Sequence, residues 1–204
     1  MKANKFFLGL ALVGAILTAC EKEQTPVATG EVSYVSVNLN YANQDTRAEG
    51  QFEFGEPAEN EIKDVTFFFF DEKFKAYSIE VNNNVSYKTL TPTMNAGSGH
   101  VEEISNAMLV IEKSKQTPPS YILAVVNCPT ELQASLSLAE LQAKIGAYNK
   151  NGDYFIMANS VYKNEATGEA MYATPLTNAN FAPTAADAVA EGTPVEVYVE
   201  RTAV

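Results

Sequence analysis

Ile62-Lys63-Asp64-Val65-Thr66-Phe67-Phe68-Phe69-Phe70-Asp71 is the stretch from which the fold is read. Val65 through Phe70 are all β-branched or aromatic, types that fit a pleated strand and are crowded in a helix. A half-exposed strand would alternate apolar with polar residues. An unbroken apolar run closed by Asp71 instead predicts a central strand with both faces covered. Four phenylalanines in a row also suit a stacking platform for carbohydrate. Burial explains them with ordinary packing, and the chain has no tryptophan to strengthen the sugar reading.

Outward from this strand, Asp71-Glu72-Lys73 reads as a turn, residues 74–81 as its partner strand, and Asn82-Asn83-Asn84 as a further turn. Residues 85–94 and 101–111 are further strands or loop. Tyr121-Ile122-Leu123-Ala124-Val125-Val126-Asn127-Cys128 is a second buried strand, stopped by Pro129. The texture then changes once. Leu136, Leu138, Leu141, Ile145 and Tyr148 fall at mixed helical spacings, with Ser137 as N-cap, Glu140 completing a capping box, and Gly146 weakening the end. Asn149-Lys150-Asn151-Gly152-Asp153 is a turn without the ligand spacing of a calcium loop. Residues 154–162 run from strand into loop, and residues 163–194 read as surface connections. In Val195-Glu196-Val197-Tyr198-Val199-Glu200-Arg201 the three valines face inward. Short strands, turn signals and one short helix predict a mainly β chain folded as an antiparallel sandwich.

The first fifty residues are of another kind. Lys2 and Lys5 precede an apolar run of eleven residues, Phe6 to Ile16, too short for the roughly 20 residues that span a membrane. Leu17-Thr18-Ala19-Cys20 follows, then the charged stretch Glu21-Lys22-Glu23-Gln24. This is the pattern of a lipoprotein signal, with residues 1–19 removed and Cys20 acylated. Two acyl chains on one cysteine anchor stably where one is marginal. Residues 21–31 are a polar tether. From Val32 to Tyr41 the chain alternates, with Val35, Val37, Leu39 and Tyr41 on one face and Ser36, Asn38 and Asn40 on the other, as in a half-buried strand. Residues 42–60 are polar, an exposed loop open to nicking, and Arg47, followed by Ala48, is their only basic residue.

The 204 residues carry a formal charge of −11, all of it arising in residues 48–204, where ten basic side chains face twenty-one acidic ones. Such a surface repels nucleic acid and anionic lipid. With Cys20 assigned to acylation, Cys128 is left alone in an apolar strand and reads as a small buried hydrophobe, with no disulfide framework. His100 is the single histidine, in the loop Asn95-Ala96-Gly97-Ser98-Gly99-His100. One histidine and one free cysteine do not furnish a zinc site, and the loop matches no triad or phosphate-binding pattern. The expectation is no catalytic residue, no metal and no cofactor: not an enzyme.

Taken in order, the lipoprotein box, the strand ending near Arg47, Ile62-Lys63-Asp64-Val65, Tyr121-Ile122-Leu123-Ala124-Val125-Val126-Asn127, Phe155-Ile156-Met157-Ala158-Asn159-Ser160 and Val197-Tyr198-Val199-Glu200-Arg201-Thr202-Ala203-Val204 form a set. That set resembles the N-terminal domain of the fimbrillins, the lipoprotein pilin subunits of Bacteroidales type V pili, across essentially the whole chain. The resemblance implies a transthyretin-like β-sandwich over residues 48–204 and a lipidated propeptide over residues 20–47. It implies cleavage between Arg47 and Ala48 by an extracellular arginine-specific protease. The strand carrying Val35, Val37, Leu39 and Tyr41 would then leave, and a neighbouring pilus subunit would insert a strand in its place. The expected location is the outer membrane through the lipid anchor, then the fimbrium. Family members continue into a second domain whose last strand is the donor. The 204 residues carry no such domain, so the expectation is a fragment, a truncated product, or a subunit that accepts a strand without donating one. The competing expectation is a surface lipoprotein that binds a ligand such as glycan or haem without polymerising.

Overall fold

A computed structural model describes residues 32–41, 61–79, 85–91, 93–94, 105–112, 117–159, 162–163, 170–190 and 193–202. Cys20, Arg47, Ala48 and His100 lie outside the described residues, as does the side chain of Tyr41. The strands in chain order are β1 (Val32–Tyr41), β2 (Val65–Phe70), β3 (Tyr87–Leu90), β4 (Thr93–Met94), β5 (Ser105–Glu112), β6 (Tyr121–Val126) and β7 (Lys150–Asn151). They continue with β8 (Tyr154–Phe155), β9 (Met157–Asn159), β10 (Tyr162–Lys163), β11 (Ala170–Met171), β12 (Thr174–Pro175) and β13 (Val195–Arg201). Two α-helices accompany them, α1 (Leu138–Ile145) and α2 (Ala185–Ala190).

The main sheet runs β3-β2-β6-β9-β13-β1-β5-β4, with β12 added alongside β6. It folds back on itself as a sandwich. Val65, Phe67 and Phe69 of β2 and Ile122, Ala124 and Val126 of β6 share one apolar core with Val35, Val37 and Leu39 of β1, Leu109 and Ile111 of β5, and the three valines of β13. The opposite faces of β2 and β6 form a second core. There Phe68, Phe70, Leu123 and Val125 meet Leu138, Leu141 and Ile145 of α1, together with Leu132, Ile156 and Cys128. The four phenylalanines thus divide two and two between the cores, and all are at most 1% exposed. Both faces of β2 are covered, which is why its sequence does not alternate.

Helix α1 starts where local chemistry dictates. The Ser137 hydroxyl accepts the backbone N–H of Glu140, and the Glu140 carboxylate accepts the Ser137 backbone N–H at 2.8 Å. The Ser137 hydroxyl also donates to that carboxylate at 2.7 Å, and this bond together with the Ser137 N–H holds the Glu140 carboxyl below its ordinary range.

Three expectations need correction. Residues 74–81 do not form a full partner strand for β2. Phe74 takes a left-handed φ of 58°, and the Asp71 carboxylate accepts the N–H groups of Lys73 and Lys75, so the turn coils and only the single bridge Phe70↔Ala76 remains within the described residues 71–79. The partners of β2 are β6 and β3. The sandwich is not wholly antiparallel, because β1 pairs with β13 in parallel. Residues 163–194 are more than connections, since they hold α2 and strands β11 and β12.

Candidate functional site

The site is the place occupied by β1. Its alternation survives in the structure: Ser33, Val35, Val37 and Leu39 are buried, while Tyr34, Ser36, Asn38 and Asn40 are half-buried on the outer face. Val35 and Val37 are 0% exposed and Leu39 3%, so the floor beneath these three side chains is apolar.

β1 does not lie at an edge. On one side it runs antiparallel to β5, in register from Val32↔Glu112 to Leu39↔Ser105. On the other it runs parallel to β13, from Val37↔Val195 to Tyr41↔Val199. Ahead of that parallel segment, Tyr34 exchanges two backbone hydrogen bonds of 2.9 Å with Ala182, in the segment leading into α2. The strand is therefore bonded along both sides, and removing it would leave two facing rows of unpaired backbone groups with an apolar floor between them.

One polar contact marks the outer face. Asn38 Nδ2 donates to Glu196 Oε1 at 2.7 Å, and Asn40 Nδ2 donates to Glu196 Oε2 at 2.6 Å. Both oxygens of one β13 carboxylate are engaged by alternate side chains of β1.

The rest of the sandwich is braced independently of β1. Asn127, at the end of β6, holds a φ of 54°. Its Oδ1 accepts the Lys63 N–H, and its Nδ2 donates to the carbonyls of Glu61 and Phe155, each at 2.9 Å. Asn159 in β9 does comparable work within the sheet: Oδ1 accepts the Ala124 N–H at 2.7 Å, and Nδ2 donates to the Ile122 carbonyl and to Thr174 Oγ1. These two asparagines close the Ala124-Val125-Val126-Asn127 and Met157-Ala158-Asn159 segments. Their bonding explains why each segment ends on that residue type.

Cys128 is 3% exposed, and burial pushes its thiol up to about 12. It packs as an apolar group and is not a nucleophile at neutral pH. Among the described residues no group of three or more His, Cys, Asp or Glu side chains comes together. A cleft of about 540 Å³ opens between α1 and the outer ends of β9 and β13, lined by Gln142, Ala143, Tyr172, Glu200 and Arg201 among others. The Arg201 guanidinium stacks 3.9 Å from the Phe155 ring centroid, so it is held as a packing element.

The class these features define is a β-sandwich whose first strand is inserted between two strands from later in the chain. No family model matches the chain, and neither does a curated protein. A solved structure of a proposed cell adhesion protein from Parabacteroides distasonis ATCC 8503 overlaps it with a TM-score of 0.43 and 15% identity. The overlap covers 81% of this chain and 44% of that one, so the chain spans less than half of the solved protein. A likeness of that size transfers no function.

Proposed function

We propose that this protein is a structural fimbrial subunit, or an accessory lipoprotein of a fimbrium, whose β1 is a removable plug. Residues 1–19 direct export, Cys20 is lipidated, and cleavage after Arg47 by an arginine-specific protease frees residues 1–47 from residues 48–204. Lipid and plug leave on one peptide, and a neighbouring subunit fills the slot. On this reading the mature protein is exposed at the cell surface.

The observation that carries the reading is the position of β1, bonded on both sides within the sheet yet joined to the sandwich only through residues 42–60. Its magnitudes suit exchange. Burying Val35, Val37 and Leu39 contributes about 1.5–3 kcal/mol each, while holding a separate strand costs roughly 4–15 kcal/mol in lost freedom. Within one chain the strand is held at high effective concentration; once cut it must compete by mass action.

Arg47→Ala is expected to leave the protein lipidated and folded but unassembled, whereas the wild type enters SDS-resistant ladders. Ladders from the variant would contradict cleavage as the trigger. Cys20→Ala is expected to lose fatty-acid labelling and membrane association, and retained labelling would remove the lipid step.

A further inference from the structure

We propose that Glu196 is the specificity-determining residue of the β1 slot. It selects an incoming strand that carries N–H donors (Asn, Gln, Lys or Arg) at the outward positions now held by Asn38 and Asn40. The inference rests on β1 being exchangeable and adds the chemistry of what replaces it.

The backbone ladders to β5 and β13 accept any extended chain, and the apolar floor asks only for alternating hydrophobes. Neither tells one amphipathic strand from another. Glu196 does, because its carboxylate is acceptor-only and both of its oxygens receive a β1 side-chain amide. An Asp or Glu at either position would bring a carboxylate against a carboxylate, on a protein already carrying −11.

Glu196 also reads register. A one-residue slip sends the polar face into the core. A two-residue slip keeps the apolar face inward but brings Ser36 or Ala42 to one of the two positions, leaving at most one amide over the carboxylate. β1 presents this amide pair while running parallel to β13 and antiparallel to β5.

The full chain is cut with an arginine-specific protease and challenged with labelled synthetic peptide of sequence VSYVSVNLNY, or with its Asn38→Asp/Asn40→Asp form. The wild type is expected to take up the amide peptide about tenfold better, equivalent to about 1.4 kcal/mol. Glu196→Lys should invert that order, and the near-isosteric Glu196→Gln should abolish it. Equal uptake of both peptides by the wild type would overturn the selectivity while leaving strand exchange intact. Uptake of neither would overturn exchange and selectivity together. In the uncut chain, Asn38→Asp/Asn40→Asp should lower the Tm and Glu196→Lys should restore it. Absence of that rescue would overturn the proposal independently of any exchange.

Discussion

Asn127 braces the sandwich through three side-chain hydrogen bonds from a left-handed backbone. It sits at a φ of 54°, which costs most residues roughly 1–2 kcal/mol. Its amide bonds to Lys63, Glu61 and Phe155, which are 28 to 66 positions away along the chain. Asn127→Gly should lose the bonds but keep the backbone geometry; Asn127→Ala should lose both. Denaturant unfolding is therefore expected to rank wild type above Gly and Gly above Ala, the last two separated by about 1 kcal/mol. Asp64 supplies a pH signature. Burial raises its carboxyl above the ordinary value of 3.8, although the Cys128 backbone N–H and Lys63 oppose the shift, and Oδ1 has no hydrogen-bond partner. The unfolded chain ionises first as pH rises through that value, so stability falls until the folded carboxyl has also ionised, and the loss persists in full above that pH. Asp64→Asn should thus match the wild-type Tm near about pH 3 and exceed it at about pH 7. Glu140, held low by its capping bonds, has the opposite sign: its contribution is present at neutral pH and is lost as pH falls. At this scale the Ser137–Glu140 cap was legible because its partners are three residues apart. The roles of Asn127 and Glu196 were not, because the groups they bind are dozens of residues away in sequence and adjacent only after folding.

Among elements, β2 and β6 make the sharpest claim, because each is buried on two unrelated faces. Phe67→Ala opens the sandwich core and Phe68→Ala the α1 core, and each should cost about 3–5 kcal/mol by denaturant titration. A strand with one solvent face would give that cost on alternate residues only. Cys128 belongs to the same buried layer, so its thiol should stay unlabelled by iodoacetamide in the native protein and react fully once unfolded. Labelling at native rates would place it at the surface. Period-two and all-apolar patterns made β1, β2, β6 and β13 readable in the sequence, since burial acts directly on residue type. The composition of residues 74–81 suits a strand, but Asp71 and the left-handed Phe74 coil the chain into a turn that, within the described residues 71–79, returns to β2 only at Ala76 and Tyr77. The second helix does carry a sequence signal: Thr184, just ahead of α2, and Asp187 in its first turn are three residues apart and bond reciprocally. The parallel pairing of β1 with β13 had none, since Asn38 and Glu196 are 158 positions apart and either direction satisfies the same alternation.

For the whole molecule, the question is whether the sandwich tolerates the loss of a strand from within its sheet. Two halves meet at the slot: β3, β2, β6, β9 and β13 on one side, β5 and β4 on the other. The first half retains the α1 core and both asparagine braces when β1 goes, so it should stay folded with an open edge. The most direct test is hydrogen exchange by mass spectrometry on dilute full-length protein before and after arginine-specific cleavage, with Arg47→Ala as control. The account predicts faster exchange in the amides of β5 and β13 on cutting, continued protection of β2 and β6, and no change in the control. Unaltered protection of β5 and β13 in fully cut protein, or equal loss across β2 and β6, would contradict a removable first strand.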